Sequence, residues 1–207
     1  MEIRSSFLGL LFILERNDIM ARELGIRNVT IFPMTADSPD VTYDAAVPLK
    51  WAVSLETKNN YSEKEYKADM QIEKSSKRLD SVEVTLELSS NTPPSVDAKI
   101  TGATYKNCKR VTTVGLTPLA IALAYEIVMD DDTVRRRVLY NVGLSRDEQK
   151  NDVESDGETY IYSGKAIPLP TTGEVDLLMD QKEVNASEDE GVKTEFKNFF
   201  TAPVFNK

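Results

Sequence analysis

Histidine is absent from this chain of 207 residues, and Cys108 is its single cysteine. The lack of histidine removes the most common general base, the most common zinc ligand and every Ser–His or Cys–His nucleophilic pair. One cysteine can form neither an internal disulfide nor a CxxC metal site. We therefore expect a protein that is not an enzyme and that has no catalytic residue, no cofactor and no metal ion.

The chain also lacks a hydrophobic run long enough to cross a bilayer. Residues 7–14 (FLGLLFIL) are apolar, but a membrane helix needs about 20 such residues. Charged residues follow at once, without the small-residue cleavage site of a signal peptide. We interpret residues 1–19 as an N-terminal extension with two explanations. In the first, the extension is a genuine N-terminal arm. In the second, the true start is near Met20, and the codons of Glu15 to Asn17 (GAGAGGAAT) form a purine-rich ribosome-binding site just upstream of it.

Basic residues are too few for a nucleic-acid-binding surface. The chain has 25 Lys and Arg against 34 Asp and Glu, a net charge of −9. Residues 147–195 contain 14 acidic residues and four lysines, which leaves the rest of the chain about neutral at +1. A DNA-binding surface would need clustered cations to displace counterions. The acidic half either keeps the protein soluble or forms a surface that repels polyanions.

Two groups of carboxylates resemble sites but do not complete one. Asp152, Glu154 and Asp156 match the first half of a calcium-binding loop. The twelfth position of that loop is Ser163, which cannot supply the bidentate carboxylate. Glu83 and Glu87 lie on the solvent side of one predicted strand, where nothing indicates the desolvated cleft that acid–base catalysis needs.

Residues 119–144 predict one long β-hairpin, because their side chains alternate with a period of two. The first strand carries large apolar residues on one face, and small residues and a glutamate on the other: Leu119, Ile121, Leu123, Tyr125, Ile127 and Met129, against Ala120, Ala122, Ala124 and Glu126. The second strand places these residues on one face: Val134, Arg136, Val138, Tyr140, Val142 and Leu144. The pattern predicts two paired strands with one buried face.

Shorter strands are predicted elsewhere, at residues 29–32 (ended by Pro33), 50–56, 81–89, 159–169 and 174–179. A short helix is predicted from Pro94 to Ile100, with Gly102 as its cap. Val192, Phe196, Phe199 and Phe200 recur at helical spacing near the C-terminus. Residues 57–80 are highly charged with signs that nearly cancel, which fits either a solvated helix or a long hairpin excursion. The fold class is therefore mainly β, a single-domain sandwich or barrel.

Several segments resemble the major tail proteins (tail tube proteins) of siphophages, the long-tailed non-contractile bacteriophages. The resemblance rests on RRRVLYNVGLSR at residues 135–146, with an apolar strand before it and an acidic insertion after it, and on IYSGKAIPLP at 161–170. GIRNVTIFPMT at 25–35 and WAVSLE at 51–56 are similar to early strands of that family. The resemblance covers most of residues 20–170. The C-terminal part departs most, and residues 1–19 do not match.

The resemblance implies a β-sandwich or barrel tail-tube fold over residues 20–207, with one short flanking α-helix and a long charged loop. Subunits of this family assemble into hexameric rings, which stack into a tube through which DNA is ejected. Residues 57–80 correspond to an inter-ring loop and residues 180–207 to a C-terminal arm. The candidate inter-subunit contacts are Lys64, Glu65, Lys67, Asp69, Glu73, Lys74, Arg78, Phe196, Phe199 and Phe200.

The implied partners are other copies of the chain and the tape measure, tail terminator and distal tail proteins. DNA passes without specific binding, which like-charge repulsion from an acidic lumen favours. No membrane is involved. The implied location is the phage tail of the virion, and the host cytoplasm during assembly.

Two other functions compete with the tail tube. The alternative is a β-sandwich binding module for a carbohydrate or receptor on a virion or cell surface. Tyr160 and Tyr162 are its candidate exposed aromatic pair. A hydrolase with two carboxylates ranks last, because histidine, metal-ligand spacing and a recognisable cleft are all missing.

Overall fold

The computed structural model describes residues 21–37, 40–68, 71–148 and 158–205. Three of the sequence-based predictions fall outside these ranges. They concern the N-terminal extension at residues 1–19, the calcium-like carboxylates Asp152, Glu154 and Asp156, and the contact residue Asp69.

Strands dominate the described residues, which confirms the mainly β fold class. The strands are β1 (Glu23–Ala36), β2 (Thr42–Tyr43), β3 (Val47–Pro48), β4 (Ala52–Ala68), β5 (Gln71–Ser89), β6 (Thr104–Lys106), β7 (Lys109–Val111), β8 (Ala120–Met129), β9 (Val134–Glu148), β10 (Thr159–Ala166) and β11 (Asp176–Asp180). The helices are α1 (Pro94–Thr101), α2 (Gln181–Ala186) and α3 (Glu190–Lys197). In the described ranges, no helix is long and apolar enough to cross a membrane.

Nine of these strands form one antiparallel sheet, in which seven strands follow the order β2-β1-β8-β9-β10-β5-β4. In addition, β3 pairs with β1 and β11 pairs with β9, whereas β6 and β7 form a separate hairpin. The sheet is not a closed barrel, so the barrel alternative of the sequence prediction is not formed.

The sheet curls around a hydrophobic core, called here the first core. Val29 and Ile31 of β1 lie in this core together with Val82 and Val84 of β5, although β8, β9 and β10 separate the two strands in the sheet. A flat sheet would hold β1 and β5 about 19 Å apart, given a strand spacing of about 4.8 Å. The curling brings them to the same core, because only a curved sheet lets both strands contact the same side chains.

The β8–β9 hairpin is present as predicted, but both of its faces are buried. Ile121 and Leu123 lie in the first core. Ala122 and Ala124 lie in a second core on the opposite face, which Phe32, Val138, Tyr140, Leu169 and Phe199 complete. The prediction of one buried face was wrong, because small alanines let the C-terminal segment pack closely on a face that sequence periodicity alone assigns to solvent.

A β-bulge in β9 also corrects the predicted face assignment. Val138 and Tyr140 face the second core, whereas Val142 and Leu144 face the first. Ile121 pairs with Val142 and Leu123 with Leu139, so β9 has one residue more than β8 between these pairs. The extra residue is accommodated at Asn141, whose φ is 46°. This is a left-handed conformation that Asn tolerates better than most residues. A bulge shifts every later side chain to the opposite face.

The strand predicted to end at Pro33 continues to Ala36. Pro33 pairs with Ile121 of β8. On the other edge of β1, Pro33 falls between the residues paired with β3 and those paired with β2. Proline is tolerated there because no ladder hydrogen bond needs its missing N–H.

Two predictions near β5 are confirmed in detail. Val82, Val84, Leu86 and Leu88 are all fully buried. Helix α1 begins at Pro94 and is capped by Gly102, whose φ is 76° and whose N–H donates to Ala98. Within this charged segment, residues 57–68 belong to β4 and residues 71–80 to β5, so the hairpin alternative holds for the described residues and the helix alternative does not.

Candidate assembly surfaces

The β4–β5 hairpin extends beyond the rest of the sheet. The two strands pair as far as Ala68 and Gln71, whereas β10 accompanies β5 only from Val82 to Ser89. Residues 60–68 and 71–81 therefore form a two-stranded ribbon, called the arm below. At about 3.3 Å per residue the arm is about 30 Å long. Strand β4 lies at the edge of the sheet.

The arm is polar on both faces. Where side chains are described, residues 61–65 and 75–78 are exposed. Glu63 lies opposite Lys77, and the Lys77 ammonium lies 4.9 Å from the centre of the Tyr61 ring. Ser62 donates a hydrogen bond of 3.0 Å to Asp80. These contacts hold the two strands together, but an isolated two-stranded hairpin is only marginally stable in water.

The base of the arm carries an ion pair. Lys58 Nζ lies 3.8 Å from the Glu83 carboxylate. A side-chain hydrogen bond from Asn60, with a smaller contribution from the Lys58 charge, lowers the pKa of Glu83. Both partners are largely exposed, so the pair contributes little to stability.

The predicted contact residues of the arm lie on its two strands. Lys64 and Glu65 are exposed on β4, and Arg78 is exposed on β5. Lys67, Glu73 and Lys74 lie in the paired strands, and only their backbone is described. Whether these residues contact a second copy stays a prediction.

The predicted contact residues near the C-terminus pack against their own chain. Phe199 is buried in the second core, and Phe196 and Phe200 are half-buried. Phe199 and Phe200 meet edge to face with ring centres 5.5 Å apart. Contact with another copy through Phe199 would require this segment to leave its own sheet first.

Tyrosines anchor the last described residues. The Tyr140 hydroxyl donates a hydrogen bond to the Val204 carbonyl oxygen, and the Tyr140 ring stacks on Phe205 at 5.2 Å. Tyr43 stacks on the same phenylalanine at 6.0 Å. Burial raises the pKa of Tyr43 to about 12 and also raises that of Tyr140.

A buried carboxylate joins the sheet to the C-terminal segment. Glu126 is buried and accepts hydrogen bonds from Arg27 Nε at 2.5 Å and Arg136 Nε at 2.8 Å. The Arg136 guanidinium also lies 4.2 Å from the centre of the Phe196 ring and donates to the Phe196 carbonyl oxygen. Sequence reasoning placed Glu126 on the alanine face but missed this role, although an acid within the apolar run of β8 was a usable signal.

A second buried carboxylate holds α1 to the sheet. Asp97 accepts a hydrogen bond of 2.6 Å from the Tyr162 hydroxyl and forms ion pairs with Arg110 and Arg146. Burial, followed by this hydrogen bond, raises the pKa of Tyr162. Tyr162 is fully buried, and the Arg146 guanidinium covers the Tyr160 ring at 3.8 Å. The two tyrosines therefore do not form the exposed aromatic pair expected of a binding module.

An open groove of about 800 Å³ lies beside β1, lined by Arg27, Lys50, Trp51, Phe200 and their neighbours. Trp51 is largely exposed and has φ of 68°. Val53 is also exposed, whereas a register shift in β4 lets Leu55 pack against the first core. Across the described ranges, no group of three or more Cys, Asp or Glu residues could hold a metal ion.

No protein-family model and no curated protein matches the chain. Sixteen chains among the solved structures are similar to this one, and two of them are described here. One is from a sheath–tube complex of the extracellular contractile injection system PVC in its extended state, with 10% identity, 73% of this chain and 88% of that chain covered, and a TM-score of 0.39. The other is from the baseplate of the anti-feeding prophage AFP, with 9% identity, 74% and 92% covered, and a TM-score of 0.37. These scores are too low to support a function.

Proposed function

We propose that this chain is a structural subunit of a tail tube, and that copies of it self-assemble into stacked rings. The observation that carries the proposal is the arm. It reaches about 30 Å beyond the strand that flanks β5, and its side chains at residues 61–65 and 75–78 are exposed. A polar ribbon of this kind gains stability when a second surface covers it, and a neighbouring ring provides such a surface.

The open sheet supports the same function. A sheet with free edges is prone to pair with other chains, and most monomeric proteins cover or interrupt such edges. Here β4 forms one edge for its whole length. Association of copies around a ring would cover this free edge with a neighbouring subunit. Hexameric symmetry, the contacts of the C-terminal phenylalanines and the passage of DNA during ejection follow from the resemblance to siphophage tail tube proteins and belong to the same proposal.

Removal of the arm tests the proposal. Asn60 and Ser81 are paired across the hairpin, so a two-residue Asn-Gly turn can replace residues 61–80 without changing the strand register. The shortened chain should keep its circular dichroism spectrum and cooperative unfolding but form no tubes in negative-stain micrographs. Wild-type protein under the same conditions should form tubes of uniform width.

In a matched control the arm is kept, and two of its residues exchange positions. Exchange of Glu63 with Lys77 preserves the composition and the cross-strand pairing of opposite charges. This variant should keep the arm folded and weaken only those contacts between copies that depend on the sign of each charge. Unchanged tubes after removal of the arm would contradict the role assigned to it, and a wild-type chain that stays monomeric would contradict the tube itself.

The groove beside β1 favours a second candidate, a carbohydrate- or receptor-binding module. An exposed tryptophan next to an open groove is a common arrangement for binding a sugar ring. This alternative predicts monodisperse monomers whose Trp51 fluorescence changes when a glycan is added. Replacement of Trp51 by Ala should then abolish glycan binding while the chain stays a folded monomer.

A further inference from the structure

The β6–β7 hairpin is a basic surface on an acidic protein. Between Asp97 and Glu126 the sequence has no acidic residue, whereas Lys99, Lys106, Lys109 and Arg110 are basic. Arg110 is paired with Asp97. The three lysines are exposed, and no carboxylate among the described residues forms an ion pair with them. They are called the basic patch below.

The hairpin brings two of these lysines directly opposite each other. Lys106 pairs with Lys109 across the strands, and the turn between them uses Asn107 and Cys108 at φ of 51° and 60°. Like charges directly opposite in a hairpin are destabilising. A negatively charged surface placed over the hairpin would remove this repulsion.

Apolar side chains surround the basic patch without cover. Val114 is fully exposed, Val111 is half exposed, and Tyr105 is also exposed. Exposed apolar groups next to unpaired cations are typical of a contact surface, because burial of the first and pairing of the second both lower the free energy.

The chain carries a complementary surface on the opposite face of its sheet. Glu183, Glu188, Asp189 and Glu190 are exposed on α2, α3 and the link between them, and are called the acidic patch. This segment leads into Phe199 of the second core, whereas α1, which precedes the β6–β7 hairpin, packs on the first core through Ile100. None of the ion pairs among the described residues joins the two patches.

We propose that the basic patch of one copy binds the acidic patch of a second copy. Because the patches lie on opposite faces of the sheet, one chain cannot pair them with each other, but a head-to-tail arrangement of copies can. Such heterologous contacts generate rings or open-ended stacks. The inference rests on the proposed tail-tube function and specifies one of its contacts.

Reversal of charge on each side, followed by a combined reversal, tests this contact. In the first variant Lys106 and Lys109 become Glu, which keeps a like-charge pair across the hairpin. In the second, Glu188 and Glu190 become Lys, which spares Asp180 and Asp189, the N-caps of α2 and α3. The combined variant keeps the wild-type net charge of −9. Assembly is measured by sedimentation velocity and negative-stain microscopy, and thermal unfolding confirms that each variant is folded.

Each single-side reversal should abolish assembly at about 0.15 M salt, where charges interact over about 8 Å. The combined variant should restore it, and an equimolar mixture of the two single-side variants should show partial recovery. Reversal of Arg22 and Lys165, two exposed basic residues outside the patch, changes the net charge by the same amount and should leave assembly intact.

Four results would overturn the inference. Tubes formed by both single-side variants would leave the tail-tube function standing and remove this contact. Failure of the combined variant to assemble would show that the two patches do not meet. A gel shift of duplex DNA by the wild type that is lost in the lysine variant, with assembly unchanged, would assign the basic patch to nucleic acid. A wild-type chain that never assembles would refute the tail-tube function as well.

Discussion

Replacement of Arg136 by Met should cost far more stability than the same change at Arg27, although both arginines bind the same carboxylate. Arg136 is 18% exposed and Arg27 is 56% exposed, and both donate to Glu126, which is 1% exposed. Water therefore screens the ion pair between Arg27 and Glu126, whereas the ion pair between Arg136 and Glu126 is largely shielded from water. Methionine keeps most of the aliphatic volume and removes the charge.

The size of the Arg136 effect follows from three contacts. A hydrogen bond between charged groups contributes about 1.5–3 kcal/mol. The stacking of the guanidinium on Phe196 and Phe200, at 4.2 and 5.3 Å, adds about 1 kcal/mol. The hydrogen bond to the Phe196 carbonyl oxygen is also lost. We expect a loss of about 4 kcal/mol for Arg136→Met and at most about 1 kcal/mol for Arg27→Met, as is usual for exposed pairs.

Urea unfolding at pH 7 gives both free energies of unfolding. Hydrogen exchange provides a second test, because Arg136→Met should raise exchange of amides in residues 196–205 and Arg27→Met should not. Equal losses in the two variants, or unchanged protection of residues 196–205, would refute the idea that Arg136 links the C-terminal segment to the buried carboxylate.

Two further predictions concern a glycine and an aspartate. Gly164→Ala should destabilise the chain by about 3 kcal/mol or more, because its Cβ would lie 1.8 Å from the Gly143 carbonyl oxygen in the paired strand. Gly25→Ala, where no atom lies within 4 Å of the added Cβ, is the matched control, and thermal unfolding compares the two. A side-chain hydrogen bond from Lys182, together with one from Thr133, lowers the pKa of Asp131 from 3.8 to about 2. The resulting stabilisation is present above pH 4 and is lost as the pH falls toward 2, so Asp131→Asn should flatten this part of the acid dependence measured by urea midpoints.

Local patterns predicted much of the secondary structure. The alternation in residues 81–89 and 119–129, the proline at the start of α1 and the glycine after it all appear as expected. These features depend on neighbouring residues, so periodicity and capping rules capture them. The bulge at Asn141 was missed, because one inserted residue reverses the face of Val142 and Leu144 without any change in local composition.

The candidate site was predicted less completely than the strands. Residues 57–80 were recognised as an unusual charged segment, yet their composition fitted both a helix and a hairpin. The exposed basic hairpin was missed, since Lys106 and Lys109 become neighbours only when β6 pairs with β7. Phe199 was predicted as a contact between copies, and its position in the second core follows from the alanines of β8, about 75 positions earlier in the chain.

The order of residues alone was enough to specify a mainly β chain with an acidic C-terminal half, one capped helix and a long alternating hairpin. Those properties come from side-chain periodicity, charge and turn chemistry, which act between residues close in sequence. Burial of both faces of β8, the pairing of Glu126 with two arginines and the projection of the arm beyond β10 depended on the tertiary structure. Each of these features joins residues far apart in the chain, and their proximity is set by how the sheet curls and where its strands end.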